Sequence, residues 1–363
     1  MNLFLGIALL LAMILIEILY LKYVEKEEIP WREIIFNLNS GHVMLWVCRG
    51  LEVAGFDYVL RHASLGWIGQ LPVVAQWIFT LFAWDFCFYW MHRLHHKYPL
   101  LWAVHVVHHE GEHFSLSLGV RNSWYSSLTS FPFFVGLAVL GVPTEQFLLL
   151  GSFHYFVQFY NHNRVINKSG WLEYIFVTPS HHRVHHGCNK EYRDKNCGGT
   201  FAFWDIWFGT FQEERADIEI KYGVAQKTES DNPFWANHIP FLKYVFKQKT
   251  PKITFFDKNK QKISDFFISL GGILLFALLI FYIYQEDKWG SEQAFYLFSL
   301  LLLSTIAMAG LYENYRWGIY SWLFCGLGML LFAWYFAFFQ AVFMVMVTLF
   351  VLHALRIFLK EFV

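Results

Sequence analysis

Histidines dominate the chemistry that this sequence can offer. The 363-residue chain contains 17 of them, and most lie between positions 92 and 186 in four tight clusters. The clusters are residues 92–96 (HRLHH), 105–109 (HVVHH), 158–162 (QFYNH) and 181–186 (HHRVHH). Imidazole is the commonest metal ligand in proteins, and an ionisable side chain near a bilayer usually needs a partner. The pattern therefore predicts a metal site beside a membrane.

The spacing inside the clusters gathers several imidazoles on one side of a helix. Two clusters contain the pattern H-x-x-H-H, whose histidines are spaced i, i+3, i+4 and are neighbours on a helix surface. An i, i+4 pair and one histidine at the end of a predicted span raise the number to nine. The nine are His92, His96, His105, His108, His109, His162, His182, His185 and His186. One tetrahedral ion uses only four ligands, so the sequence predicts two metal ions.

The ligand type leaves the metal open. Nitrogen-rich sites suit iron, zinc, copper or nickel. An oxidative function would favour iron, because it requires a redox-active ion.

Composition indicates a membrane protein. The chain is 56% apolar and 21% aromatic, whereas soluble domains are about 45–50% apolar. Runs of about 20 apolar residues predict spans. The candidates are residues 3–21, 34–59, 70–91, 123–141, 143–162, 264–284, 293–311, 317–335 and 338–357. Polar residues interrupt the second, which could lie in the interface, and the first lacks a cleavage site and is expected to be a retained anchor.

The order of the spans brings the histidine clusters to one side of the membrane. The spans at 123–141 and 143–162 form a hairpin that returns the chain to the side where residues 92–122 lie. Lysines crowd the approach to the span at 264, namely Lys243, Lys247, Lys249, Lys252, Lys258, Lys260 and Lys262. The positive-inside rule then predicts that the histidine side is cytoplasmic, in a bacterial inner membrane or the endoplasmic reticulum.

These features predict an all-α polytopic membrane protein. It would be a helical transmembrane bundle with a cytoplasmic histidine-rich cap that holds a dinuclear metal site. The expected division is an anchor region at 1–69, a catalytic core with its cap at 70–263 and a C-terminal bundle at 264–363. Net charge is zero, which gives no sign of nucleic-acid binding, and the five scattered cysteines form neither a disulfide framework nor a CxxC zinc motif.

The sequence around the histidines resembles a known family. The strings are WMHRLHH (90–96), LWAVHVVHH (101–109), TPSHHRVHHG (178–187), DKN (194–196) and WDIWFGTF (204–211). They are similar to motifs of the fatty-acid hydroxylase/sterol desaturase superfamily, and within it to the alkylglycerol monooxygenase branch. The resemblance covers about residues 80–215. Cys197 and the stretch 110–115 depart from the pattern of that branch.

The resemblance implies a di-iron enzyme that activates O2 and hydroxylates a lipid C–H bond, with an alkyl ether lipid as the expected substrate. It implies that the nine histidines are the metal ligands and the catalytic residues. His95 and His181 would be second shell or structural, and Glu112 and Arg121 would line a substrate or cofactor entrance. It also implies tetrahydrobiopterin as reductant. No nucleotide, haem or ferredoxin motif is present, so electrons are expected from an external donor.

Other polar residues are candidates to support the ligands. Asp85, Tyr89 and His92 are spaced i, i+4, i+7 on one predicted helix. Metal-bound histidines commonly donate their second N–H to a carboxylate, so Asp85 is expected to support a ligand, with a helix–helix hydrogen bond as the alternative. Asn196, Asp205 and Glu173 are similar candidates near the third cluster.

The sequence leaves three alternative functions open. Residues 109–113 read HEGEH, which matches the HExxH motif of zinc hydrolases, although Gly111 weakens the helix that the motif requires. A metal transporter is the non-enzymatic alternative. A lipid desaturase, a sterol hydroxylase or a carotenoid hydroxylase would use the same histidines.

Overall fold

Helices make up nearly all regular structure in this protein. The computed structural model describes residues 3–40, 42–224, 232–249, 262–285 and 288–362. The helices are α1 (Leu3–Tyr23), α2 (Trp31–Asn39), α3 (His42–Ala63), α4 (Val73–Lys97), α5 (Pro99–His109), α6 (Ser126–Leu140), α7 (Thr144–Asn161), α8 (Pro179–His186), α9 (Phe203–Phe208), α10 (Pro233–Pro240), α11 (Asp265–Tyr284), α12 (Ser291–Tyr312), α13 (Arg316–Tyr335) and α14 (Ala341–Phe362). Within the described residues, extended backbone pairs only at an isolated bridge between Phe176 and Phe201. The all-α prediction is confirmed.

Five helices of the described chain are long and apolar enough to cross a membrane. They are α4, α11, α12, α13 and residues 341–360 of α14. The polytopic architecture is thereby confirmed. The cytoplasmic orientation stays a prediction, and three of the lysines used for it, at 252, 258 and 260, lie outside the described residues.

Two predicted spans differ in detail from the structure. The candidate at 34–59 is occupied by two separate helices, α2 and α3. The candidate hairpin is present as α6 and α7, but α6 has 15 residues and is about 22 Å long, shorter than the hydrocarbon core of about 30 Å. Its turn at Gly141 adopts φ +94°, and a Cβ there would lie 3.0 Å from the Cα of Gly66, so glycine is required.

The chain forms two compact units. One contains residues 44–227 and 243–247, and the other contains residues 1–43, 228–242 and 248–363. Most of α3 belongs to the first unit, where Phe56 stacks on Phe147 of α7 with centroids 4.2 Å apart. The three-part division predicted from the sequence describes the order of the spans and stays a prediction.

The second unit is a bundle with an apolar core. Helices α12 and α13 approach so closely that a Cβ on Gly310 would lie 2.6 Å from the Cα of Gly318. His353 of α14 is buried there and is fully partnered, because Trp322 Nε1 donates to its Nδ1 and its Nε2 lies 2.9 Å from the carbonyl oxygen of Phe267. This histidine therefore has a structural role.

Candidate metal centre

A corner between α4 and α5 brings the first two histidine clusters together. Tyr98 precedes a proline and adopts an extended conformation, which ends α4, and Pro99 begins α5 at its first position. The last turns of α4 carry His92 and His96. The chain reverses at this corner, so His105 of α5 places its Nε2 only 2.9 Å from that of His92.

Helix α8 is a short, fully buried helix that supplies the third cluster. All eight of its residues are buried, and Pro179 begins it. Arg183 anchors it, because its guanidinium donates to both carboxylate oxygens of Glu214 and to the carbonyl oxygens of Ile166 and Asn167. Arg183 thus fixes α8 to the chain at Ile166, Asn167 and Glu214.

Five histidines converge in one group, called here the five-histidine group. Its members are His92, His96, His105, His109 and His185. Their donor atoms all lie within 4.8 Å of one another. The Nε2 of His109 lies 3.0 Å from that of His105 and 3.1 Å from that of His185.

The other four histidines form a second group, called here the four-histidine group. Its members are His108, His162, His182 and His186, with donor atoms again within 4.8 Å of one another. His162 is the residue that ends α7. Its Nε2 lies 3.1 Å from the Nε2 atoms of His108, His182 and His186.

The two H-x-x-H-H clusters are divided reciprocally between the groups. Helix α5 gives its i, i+4 pair, His105 and His109, to the five-histidine group and His108 to the other. Helix α8 gives its i, i+4 pair, His182 and His186, to the four-histidine group and His185 to the other. All nine predicted residues are therefore brought together, five and four. Their role as ligands stays a prediction.

The hydrogen bonds of the ring Nδ1 atoms show that the convergent Nε2 atoms lack protons. For His92, His108, His162 and His185, Nδ1 lies 2.7–2.9 Å from a backbone carbonyl oxygen, which can only accept. Nδ1 therefore carries the hydrogen, and Nε2 of the neutral ring presents a lone pair. His108 and His162 point such lone pairs at each other across 3.1 Å. A cation between them removes the repulsion, so the residues fit a metal ion in each group.

Burial keeps these imidazoles in the form that binds metal. It lowers the pKa of His108 to about 4. Burial, with the neighbouring imidazoles as a second cause, also lowers the pKa of His105, His109, His182 and His186 well below the usual 6.5. The neutral ring is the ligating form, so protons compete with metal only under acidic conditions.

The loop at residues 196–201 contacts the five-histidine group through His92. The carbonyl oxygen of Cys197 accepts from His92 Nδ1 at 2.9 Å. Asp205 fixes that loop, because it accepts from the backbone N–H groups of Cys197 and Gly198, each at 2.7 Å, and from the Thr210 hydroxyl. Asp205 thus acts on His92 through one peptide unit.

Asp85 contacts a different histidine from the one expected. Its carboxylate accepts from the backbone N–H groups of Thr200 and Phe201 and from Trp204 Nε1, and its Oδ1 lies 3.3 Å from His154 Nδ1. His154 lies outside both groups, is buried, and has an Nε2 with no hydrogen-bond partner. Its position inside the predicted span 143–162 is a signal that sequence reasoning can use, because a histidine there must face protein.

The remaining predicted supporting residues occupy distinct places. Asn196 donates to the carbonyl oxygens of His181 and Gln212 and joins α8 to the chain after α9. His95 lies 2.9 Å from the Thr129 hydroxyl and 2.7 Å from the Met91 carbonyl oxygen, outside both groups. His181 packs its ring edge-on against Phe211. Neither His95 nor His181 belongs to a metal-ligating group among the described residues.

Glu112 and Arg121, predicted at an entrance, lie in different environments. Glu112 is exposed in the loop after α5. Arg121 is buried, and its guanidinium donates to the Val107 carbonyl oxygen and to Glu110, while its own carbonyl oxygen accepts from His108. Arg121 therefore supports the four-histidine group through its backbone, and an entrance role stays a prediction.

The HExxH reading does not fit the structure. The α-helix ends at His109, so residues 110–113 do not continue it. Glu110 is buried in an ion pair with Arg121 at 3.4 Å, and His113 belongs to neither metal-ligating group. The two histidines of the motif are thus not arranged to share an ion.

Comparison with known proteins supports the family expected from the motifs. Residues 77–210 match the fatty acid hydroxylase family. The chain is 36% identical to alkylglycerol monooxygenase of Xenopus tropicalis over 188 residues, 51% of this chain and 41% of that protein. It is 35% identical to the Homo sapiens alkylglycerol monooxygenase over similar shares. It is 30% identical to an ornithine lipid hydroxylase of Rhizobium tropici over 178 residues, 46% of this chain and 51% of that protein.

The resemblance to the fatty-acid hydroxylase/sterol desaturase superfamily, and to its alkylglycerol monooxygenases, is confirmed by these matches. The chain spans about half or less of the length of these relatives. No solved structure matches it significantly.

Proposed function

We propose that this chain is a membrane lipid hydroxylase that holds two iron ions in its two histidine groups. It would use O2 and electrons from an external donor to hydroxylate a C–H bond of a long-chain lipid. An alkyl ether lipid of the alkylglycerol type is the preferred substrate, and tetrahydrobiopterin is the preferred reductant.

One observation carries the proposal: nine buried or half-buried imidazoles converge as five and four donors, and the unprotonated Nε2 atoms of His108 and His162 face each other. No packing requirement favours such an arrangement, since like lone pairs repel. A transporter tends to place ligands near the bilayer midplane on broken helices, whereas these ligands lie at the ends of α4, α5 and α7 and on α8.

The choice of iron and of lipid rests on the relatives. All three reported relatives are named for hydroxylation or monooxygenation of lipids, an alkylglycerol in two cases and an ornithine lipid in the third. Imidazole donors accept iron, and O2 chemistry requires a redox-active metal. When bound, the two ions would supply the chemistry that activates O2.

The residues of this chain would fix the ions and their surroundings. Backbone carbonyl oxygens orient the ligand rings, Arg183 holds α8 in place, and α4 leads from the ligands into the bilayer, where an apolar chain resides. In the overall reaction one atom of O2 enters the C–H bond. The other leaves as water with two electrons and two protons from the reductant. At a carbon that bears the ether oxygen, the product is a hemiacetal that collapses to an aldehyde and glycerol.

The metal site is tested by iron content and Mössbauer spectroscopy of anaerobically purified protein. We expect about two irons per chain, and loss of iron in His185→Ala. The matched control is His95→Gln, a neighbouring histidine that lies outside both groups. One tightly held zinc with no O2 consumption would overturn the proposal.

The substrate class is tested by incubating reconstituted protein with alkylglycerols, ornithine lipids and sterols and with several reductants, tetrahydrobiopterin among them. Aldehyde formation from alkylglycerol supports the ether-lipid assignment. A hydroxylated product from another lipid would keep the hydroxylase and replace the substrate. A new double bond would favour a desaturase.

A further inference from the structure

Two short segments beside α4 expose several aromatic and aliphatic side chains. Trp171, Leu172, Tyr174 and Ile175 come from the 3-10 turn at Gly170–Tyr174 and the residue after it, and Ile206 and Trp207 come from α9. These six residues are called here the aromatic platform. Trp171 and Trp207 are each 68% exposed and Tyr174 is 81% exposed. Large apolar groups in such numbers on a surface require a partner.

The two segments form one surface. Phe176 and Phe201 pair as an antiparallel bridge, with Ala202 N–H donating to the Ile175 carbonyl oxygen and Val177 N–H donating to that of Thr200. The rings of Phe176 and Phe201 stack at 5.7 Å. The 3-10 turn and α9 are therefore held side by side.

The surface runs alongside α4, one of the helices that are long and apolar enough to cross a membrane. Exposed residues Val74, Ile78, Phe82 and Phe86 recur every fourth position on α4 and form an exposed apolar stripe, called here the lipid-facing stripe. Phe201 stacks on Phe82 at 5.1 Å, and Trp204 contacts Phe86 at 5.1 Å.

Further along, Phe208 contacts Trp90 at 5.0 Å, and Arg93 donates to its carbonyl oxygen. Phe82 lies three turns, about 16 Å, from Arg93 along the helix axis. Residues 201–208 thus run beside α4 from the level of Phe82 to the level of Arg93.

Several polar groups of these segments are hydrogen-bonded within the protein. Glu173 accepts from the backbone N–H of Ser169, and Asp205 is buried against Cys197 and Gly198. The backbone N–H groups of Thr200 and Phe201 and the indole N–H of Trp204 all donate to Asp85 on α4. Non-helical backbone is tolerated at membrane depth where it is buried in protein. Thr200 and Phe201 are buried, and Asp85 accepts from both of their N–H groups.

We propose that the aromatic platform is immersed in the bilayer and contacts lipid directly, so that residues 170–176 and 201–208 form a re-entrant element rather than part of a water-exposed cap. The occupant of this surface is bilayer lipid. The sequence expectation of a cytoplasmic cap would then hold for the polar stretches around these segments, such as residues 189–195, and not for the segments themselves. This inference depends on α4 crossing the membrane and is independent of the metal chemistry.

The test is site-directed spin labelling of the full chain in lipid nanodiscs. Labels are placed by Tyr174→Cys and by Trp207→Cys, each in a background that carries Cys87→Ser and Cys188→Ser. Collision rates with apolar O2 and with a water-soluble nickel chelate are compared. Ile78→Cys on the lipid-facing stripe and Glu191→Cys, an exposed position in the same unit, serve as the two references.

We expect both platform labels to behave like position 78, with high O2 and low nickel collision rates. Nickel accessibility equal to that at position 191 would overturn the proposal. Low rates for both agents would also overturn it, because they would show a protein partner covering the surface. Iron loading is irrelevant to this readout, so failure here is distinguishable from failure of the proposed hydroxylase.

A second variant tests the part assigned to Asp85. Asp85→Asn removes one carboxylate oxygen from the acceptors of Thr200, Phe201 and Trp204. We expect the nickel collision rate of a label at position 207 to rise severalfold, while a label at 78 is unchanged. An unchanged rate at 207 would show that Asp85 does not hold this element in place.

Discussion

The five-histidine and four-histidine groups differ in how completely the protein encloses them. All members of the four-histidine group are buried, and Phe114 stacks on His162 with Tyr222 stacked behind it. In the five-histidine group, His96 and His105 are only half-buried, and His96 has a buried Nε2 with no partner. Aromatic rings flank both groups, since Trp102 packs on His96 and His109, so the difference lies in the burial of the histidines themselves. The five-histidine group is the more accessible to small molecules.

The two groups also differ in their number of imidazoles, and the more accessible group has one more. The enclosed group has four imidazoles, which is a complete tetrahedral set, and the accessible group has five. The same two helices, α5 and α8, thus build an enclosed set and a more accessible set of imidazoles.

Removal of one ligand is expected to have the largest effect, and a larger one in the four-histidine group. His182→Ala leaves three donors there, whereas His96→Ala leaves four in the other group. We expect His182→Ala to lose one of two ions and to lower activity by more than the 10–100-fold that follows loss of an outer-shell partner. Iron per chain is measured for both variants after dialysis against a chelator, and activity is measured alongside. Equal iron losses in the two variants would remove the distinction between the groups.

Phe114→Ala should open the enclosed group. Phe114 is fully buried, and Phe→Ala changes in cores cost about 3–5 kcal/mol in the free energy of unfolding. We expect that loss together with faster extraction of one ion by a chelator. Phe147→Ala is the matched control, since Phe147 is equally buried but packs on Phe56. If both variants release iron equally fast, Phe114 does not shield the group.

Asp205→Asn should weaken the accessible group by way of the loop at Cys197. Its carboxylate accepts three donors and an amide oxygen cannot accept them all. We expect 10–100-fold weaker iron retention, the range typical for groups that orient a ligand. Retention equal to that of the native protein would show that the Cys197 carbonyl needs no such support.

The same variant has a pH signature. Burial raises the pKa of Asp205 to about 6, above its usual 3.8. Because the folded protein binds this proton more tightly than the unfolded chain, the group adds stability as the pH falls from about 6 toward 3.8. The difference in melting temperature between native protein and variant should therefore change over that window and stay flat above it. A constant difference throughout would contradict the assignment.

Asp194→Asn is expected to have the smallest effect. Asp194 lies 3.3 Å from His96 Nδ1, but its side chain is 59% exposed. Exposed pairs contribute about 0–1 kcal/mol, which corresponds to at most about a fivefold change in iron affinity of the accessible group. A larger change would indicate that this carboxylate approaches or ligates the ion itself.

Helix content and the set of clustered histidines could be predicted from the sequence, because both follow local periodicity. The assignment of each histidine to a group could not. His105 and His108 belong to the same sequence cluster. They join different groups because of the way α5 packs against α4 and α8, which the sequence does not show. The contact of Asp85 with Thr200 likewise joins residues 115 positions apart, which spacing on one helix cannot reveal.

The hairpin shows the same limit from another side. Apolar composition predicted two full spans at 123–162, yet α6 begins only at Ser126, after the irregular stretch that carries the carbonyl of Arg121 to His108. The stretch before Ser126 is irregular because it positions the Arg121 carbonyl oxygen at His108, and α6 is shorter as a result. The contacts of His154 with Asp85 and Thr200 likewise join residues far apart in the chain, and a histidine in a predicted span does not reveal them.

The reciprocal use of α5 and α8 has a consequence for assembly. Each helix donates to both groups, so an ion bound in either group immobilises the helices that present ligands to the other. The ordering cost of the second site is then already met, and rigidification at one site favours binding at the other without any change of shape. Loading is expected to be cooperative, so that chains holding two ions or none outnumber those holding one.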